Sequence, residues 1–294
     1  MQDDDNSFFR QLFLRPISTY FYAMLKQITS PHNKEIKWLL QLQEKSRNRR
    51  KEEAFIVEGQ REISIAIKGK YSPLHLYFVP GLIDFQEVLE IARSNAQQPA
   101  SITEISQEVY DKIAYRGSTE GLVTVFRSKE HKLQDLKFSN SNPLILVAEA
   151  PEKPGNIGAI LRTADAAAVD AVIIANPKTD LYNPNIIRSS VGCIFTNKIA
   201  TGKTSEIIAF LKQENISIYS AALQAAKPYH EIDYKEASAI VVGTEATGLS
   251  EEWLKNSTQN IVIPMHGEID SMNVSVAAGI LIFEAKRQRI THPE

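Results

Sequence analysis

Apolar residues along this chain fall into short blocks of two kinds. Leu144–Ala148, Ala171–Ala175, Ile216–Ala221, Ala239–Gly243 and Asn260–Pro264 are brief, mostly apolar runs, the pattern of strands buried on both faces. Between and beyond them, Gly158–Ala168, Asn183–Val191, Ser205–Gln213 and Ser275–Arg289 fit helices. Strands alternating with helices predict a mostly parallel sheet covered on both sides. The N-terminal half also alternates. Asn33–Arg50 sets Ile36, Leu39, Leu40 and Leu42 at helical spacing, and Arg61–Lys68 and Asp84–Ala96 read as further helices. Strands are expected at Phe55–Gly59, Leu74–Val79, Ala100–Ile105 and Gly121–Phe126. The polar segment ending in Asn140-Ser141-Asn142-Pro143 reads as a linker. The expected organisation is an α/β chain with an extension at 1–24, a first domain at 25–128, a linker at 129–142 and a second domain at 143–294.

Composition narrows this picture. With 294 residues, 43% hydrophobic and 23% charged, the chain has room for two ordinary globular domains. Cys193 is the only cysteine, which excludes an intrachain disulfide and favours a reducing, cytoplasmic setting. Six scattered histidines and one cysteine give no metal-ligand spacing, so no metal is expected. No run approaches a membrane span, and residues 1–24 carry arginines inside their aromatic segment, unlike a secretory signal. Met24 reads as an alternative start. The net charge of −2 hides one basic concentration: Lys34, Lys37, Lys45, Arg47, Arg49, Arg50 and Lys51 against only Glu35 and Glu44. That cluster is large enough to contact phosphate.

Three loops at strand ends carry the candidate chemistry. After Leu144–Ala148, a loop with Pro151 and Pro154 leads through Gly155-Asn156-Ile157-Gly158 into a helix. There Asn156 is a candidate cap, and Arg162 lies one turn beyond Gly158 on the same face. The second loop, Val242-Gly243-Thr244-Glu245-Ala246-Thr247-Gly248, sets two glycines around one Glu, permitting close ligand approach. Its spacing matches neither a dinucleotide fingerprint nor a phosphate-binding P-loop. The third, Ile263-Pro264-Met265-His266-Gly267-Glu268-Ile269-Asp270-Ser271-Met272-Asn273, precedes the last helix, which Ser271 could cap. Ile263, Met265 and Met272 supply an apolar wall suited to an adenine ring and a thioether.

Taken together, NIGAILRTA, VVGTEATGLS and IPMHGEIDSMNVSVAAGILIFEA resemble the SpoU or TrmH-type RNA ribose 2′-O-methyltransferases. ITSPHNKEIKWLLQLQEKSRNRRKEEAFIVEGQREI and KIAYRGSTEGLVTVF resemble the ends of that family's L7Ae-like RNA-binding module. The resemblance implies a trefoil-knotted α/β methyltransferase domain after a smaller α/β domain, with S-adenosylmethionine as cofactor. It also implies a homodimer formed through the knotted domain, and RNA as partner, ribosomal RNA (23S) before transfer RNA. By position, Arg162, Asn156, Glu245, Ser271 and Asn273 would be catalytic. Gly243, Ile263, Met265, Met272, Gly248 and Leu223 would hold the cofactor; Met272 stands where the family usually has Leu. Lys34, Lys37, Arg47, Arg49, Arg50, Lys51 and Arg116 would meet RNA, with Tyr115 beside them. Whether Arg162 acts as a base or as an electrostatic clamp is left open, because a guanidinium rarely gives up its proton. A silent RNA-binding assembly factor and a base-nitrogen methyltransferase are the rival readings.

Overall fold

The computed structural model describes residues 25–95, 99–114, 120–224, 226–244, 247–268 and 271–290. The expectations for residues 1–24, including the alternative start, lie outside them, as do Tyr115, Arg116 and Glu245.

The N-terminal apolar runs pair into a five-stranded sheet of order β1-β4-β3-β5-β2. Its strands are β1 (Lys26–Ile28), β2 (Ala54–Glu58), β3 (Pro73–Phe78), β4 (Ser101–Ile105) and β5 (Leu122–Arg127). β5 runs antiparallel to β2 and β3, and the other pairs are parallel. Around it lie α1 (Lys34–Glu44), α2 (Ser46–Glu52), α3 (Gln60–Lys68), α4 (Phe85–Ala92) and α5 (Gln107–Ile113). The periodicity predicts one helix over 33–50, but the backbone turns extended at Lys45 (φ −114°, ψ 110°) and restarts as α2.

That break overturns one expectation. It swings Arg49 inward, where only 4% of the residue stays exposed. Its guanidinium donates to the Leu42 and Gln43 carbonyls at 2.6 and 2.8 Å, satisfying acceptors that the end of α1 leaves open. It also pairs with Asp180 of the other domain. Arg49 is therefore a buried structural cation and not one of the exposed basic residues, which are Lys34, Lys37, Lys45, Arg47, Arg50 and Lys51.

The second sheet has seven strands in the order β10-β12-β9-β11-β6-β7-β8, every neighbouring pair parallel. They are β6 (Leu144–Glu149), β7 (Ala171–Ala175), β8 (Ile199–Gly202), β9 (Ser217–Ala221), β10 (Ala226–Pro228), β11 (Ser238–Val242) and β12 (Gln259–Val262). β12 lies between β9 and β10, which follow one another in the chain. Helices α6 (Pro154–Ala166), α7 (Pro184–Ser189), α8 (Thr204–Gln213), α9 (Glu251–Asn256) and α10 (Val274–Arg289) complete the domain. α6 begins at Pro154, not Gly158, because the fixed φ of proline suits the first helical position. Asn156 consequently sits inside the first turn and is not the cap.

The two sheets share one apolar core. Phe55 of β2 stacks on Tyr182 at a centroid separation of 4.2 Å and on Phe195 at 5.7 Å, while Tyr71 meets Phe195 edge-on at 5.1 Å. A Cβ on Gly69 would stand 2.1 Å from the Phe195 carbonyl oxygen, so only glycine allows this approach. Residues 129–142 join the same junction. The Tyr182 hydroxyl accepts from the Lys129 amide at 2.9 Å, and Leu133 and Leu136 are buried against the second domain. Replacing Arg49 by Ala strands Asp180 and two carbonyls, and is expected to cost about 3 kcal/mol in chemical denaturation. Arg47→Ala, at an exposed position, should leave the midpoint within error.

Candidate active site

In a parallel sheet covered by helices, the strand carboxyl ends open on one edge, and ligands bind in the crevice there. The loops after β6, β9, β11 and β12 converge on that edge. Three of them enclose a cavity of about 530 Å³, within the roughly 300–1,000 Å³ usual for small-molecule sites. Leu223 lines it from the loop after β9, Gly243 and Gly248 from the loop after β11, and Ile263, Met265, Ser271 and Met272 from the loop after β12. All six residues expected to hold a cofactor thus border one space.

The β11 loop keeps its shape through its own backbone. Thr244 and Gly248 exchange two amide–carbonyl bonds of 3.1 Å each. A Cβ on Gly243 would stand 2.3 Å from the Gly248 carbonyl carbon, and Gly248 itself adopts φ +66°. The loop is anchored by a residue that the motif comparison passes over, Glu149. This carboxylate, 6% exposed, accepts from the Thr204 hydroxyl at 3.0 Å, the Ser250 hydroxyl at 2.8 Å and the Ser250 amide at 2.8 Å. A lone Glu closing the apolar run Leu144–Ala148 is the sequence signal for it. The next residue, Ala150, holds φ 44°, a costly conformation for a side chain other than glycine.

The β12 loop ends at Asn273, whose Oδ1 accepts from the Ser275 amide at 2.9 Å and so caps α10. Ser271 does not cap it, since α10 begins only at Val274. The Asn273 amide donates to Asn156 Oδ1 at 3.1 Å, joining the third loop to the first. Of the expected catalytic set, Ser271 lines the cavity, and Asn273, between the lining residues Met272 and Val274, is joined to Asn156. Arg162 is not among the residues that line the cavity. It lies one turn beyond Gly158, whose face is pressed on α7: a Cβ there would stand 2.8 Å from the Ser190 amide nitrogen. Arg162 is exposed, on the side of α6 facing the 3₁₀ turn Cys193–Phe195 and the first domain.

A larger groove of about 1640 Å³ runs between the domains past Arg50, Lys129 and Lys178. It includes Glu130, Glu206 and Glu214 as well and touches none of the three motif loops. No group of three or more potential metal ligands occurs among the described residues, and no helix among them is long and apolar enough to cross a membrane.

A parallel α/β domain whose strand-end loops enclose a cofactor-sized cavity, fused to a smaller α/β domain, defines the class of two-domain SpoU-type methyltransferases. Comparison with known proteins agrees: residues 143–283 match the SpoU rRNA Methylase family and residues 33–124 the MRM3-like substrate binding domain. The chain is 28% identical over 264 residues to the 23S rRNA (guanosine(2553)-2′-O)-methyltransferase RlmP of Bacillus subtilis, covering 89% of this chain and 100% of that one. It is 30% identical over 230 residues to the 23S rRNA (guanosine-2′-O-)-methyltransferase RlmB of Shewanella oneidensis, covering 75% and 92%. The crystal structure of an AdoMet-bound rRNA methyltransferase from Sinorhizobium meliloti superposes with a TM-score of 0.83 at 25% identity, over 91% of this chain and 99% of that one. This chain belongs to the SpoU rRNA methylase family.

Gly243→Ala forces the β11 loop open against its own backbone. The variant is expected to lose about 1–3 kcal/mol in chemical denaturation, the usual cost of overpacking.

Proposed function

We propose that this protein transfers a methyl group from S-adenosylmethionine to a ribose 2′-hydroxyl of 23S rRNA. The observation that carries the reading is the convergence of three loops, distant in sequence, on one cavity with the Asn156–Asn273 pair beside it. The cavity suits the cofactor on its own terms. Its walls combine the side chains of Leu223, Ile263, Met265 and Met272 with the backbone of the two glycine positions, an apolar slot edged by peptide groups. When bound there, the cofactor supplies an electrophilic methyl group on a sulfonium.

The chain's residues supply position and charge. Gly243, Gly248, Leu223, Ile263, Met265 and Met272 hold the cofactor. Asn156, Ser271 and Asn273 fix the loops around the reacting groups, and Glu149 holds the β11 loop through Ser250. Glu245 belongs to the same proposed set by its place in the motif. Arg162 is assigned as an electrostatic clamp, binding phosphate and stabilising charge that develops on the 2′-oxygen. It is exposed and makes no ion pair among the described residues, and guanidinium stays protonated in proteins.

In the proposed division of labour, residues 25–128 bind RNA and residues 143–294 carry catalysis. Exposed Lys34, Lys37, Arg47, Arg50 and Lys51 supply salt-sensitive attraction to the phosphate backbone, joined by Arg116. The placement of β12 between β9 and β10 supports a trefoil knot. A homodimer is supported by α10, where Val276 (53% exposed) and Phe283 (51% exposed) share a face with Ile280.

Two experiments test the reading. Labelled S-adenosylmethionine and total RNA from a strain lacking the protein should yield a labelled 2′-O-methyl nucleoside in 23S rRNA. Arg162→Ala should lower that transfer at least about 10²-fold, about 2.7 kcal/mol, with cofactor affinity retained; label on a base would overturn the acceptor. In light scattering at fixed concentration, the wild type should run as a dimer and Phe283→Glu as a monomer.

A further inference from the structure

We propose that Arg61, on the first domain, forms a cross-domain phosphate clamp with Arg162 and positions the RNA backbone next to the target ribose. The proposal rests on the methyltransferase reading above.

Helix α3 packs on the 3₁₀ turn Cys193–Phe195 of the second domain. The contact is close: a Cβ on Gly192 would stand 3.2 Å from Ile65 Cδ1. Arg61 lies one turn before Ile65 on the same helix, so the two share a face. Arg162 reaches the same turn from α6. The Cys193 thiol reports both neighbours. Burial first, then the Asp165 charge and a hydrogen bond to Asp165, push it up to about 11, while the Arg162 and Arg61 guanidinia pull the other way. The helices that carry these two cations, one from each domain, thus both pack on the turn Cys193–Phe195.

Neither is spent on a partner. Among the described residues Arg61 and Arg162 make no hydrogen bond or ion pair, and both are exposed. The carboxylate nearby is engaged elsewhere: Asp165 accepts from the Thr196 hydroxyl at 3.4 Å and from the Cys193 thiol. Two unpaired guanidinia carried to one turn by helices of different domains are suited to phosphate oxygens. The relation of those helices is fixed because the junction is rigid, set by the Phe55–Tyr182–Phe195 stack, the Gly69 approach and the buried Arg49–Asp180 pair. A clamp spanning the junction would let the first domain, which has no part in the cofactor cavity, decide which phosphate Arg162 meets.

The test compares wild type, Arg61→Ala and Arg61→Lys in binding to and methylation of deproteinised 23S rRNA from a strain lacking the protein. Arg61→Ala is expected to weaken RNA binding about tenfold and to reduce the slope of log affinity against log salt by about one. It should raise KM for RNA much more than it lowers kcat, with cofactor affinity and melting temperature at wild-type values. Arg61→Lys should keep the slope and recover part of the affinity. An unchanged slope and KM in Arg61→Ala would overturn the clamp, as would a parallel loss of melting temperature or cofactor binding, which marks a structural role. Failure of the wild type to methylate or bind this RNA would instead remove the methyltransferase reading.

Discussion

The rest of the structure depends on the way Phe55 is seated between Tyr182 and Phe195. These rings belong to different domains, Phe55 to β2 and the other two to segments beside the second sheet, and their contact helps to pack the domains together. Stacked and edge-on aromatic pairs contribute about 0.5–1.5 kcal/mol each beyond the area they bury, and this junction holds several. Residues 129–142 are drawn into it by the Tyr182 hydroxyl and by buried Leu133 and Leu136. Gly69 lets the backbones close to contact distance, and Arg49 with Asp180 sets the rotation about that contact. The orientation of the first domain over α6 follows from packing alone.

A second constraint operates inside the catalytic domain. Parallel strands of similar length end on one edge, so segments as far apart as Leu223 and Met272 reach the same cavity. What shapes them there is mostly backbone. Gly243 lies too close to the Gly248 carbonyl for any Cβ, Gly248 turns the chain at φ +66°, and Gly158 seats α6 on α7. Glu149 converts the end of a buried strand into an anchor by accepting three hydrogen bonds. A buried carboxylate is tolerated only when so fully satisfied. That ties the cofactor cavity's geometry to the strand and not to solvent-exposed loop contacts.

Much of the architecture was legible in the sequence because burial on both faces writes itself as continuous apolar runs. The five runs expected as strands in residues 143–294 are strands, in a parallel sheet. Elements too short to carry a period escaped: β1 and β10, of three residues each, β8, of four, α9, of six, and α5, of seven. The three loops of the site were legible for a different reason. Glycines, Asn, Ser and Arg at strand ends have no use in a core, so they stand out against it. Helix starts were less legible, since Pro154, Asn156, Ser271 and Asn273 are all acceptable near a helix N-terminus and only the packed chain selects among them.

The sequence by itself determined the α/β class, the apolar runs that build the core and which loops carry polar groups, because these follow from local periodicity and residue chemistry. Tertiary structure alone decided which of those groups meet. The cluster at 34–51 reads as seven equivalent cations, yet a break at Lys45 turns Arg49 into the core and leaves its neighbours in solvent. Arg61 reads as an ordinary helix residue until α3 docks on the turn Cys193–Phe195 of the other domain. Asn156 finds Asn273 across 117 positions of chain. Pairings at that separation are fixed by how sheets twist and domains pack, and no local pattern encodes them.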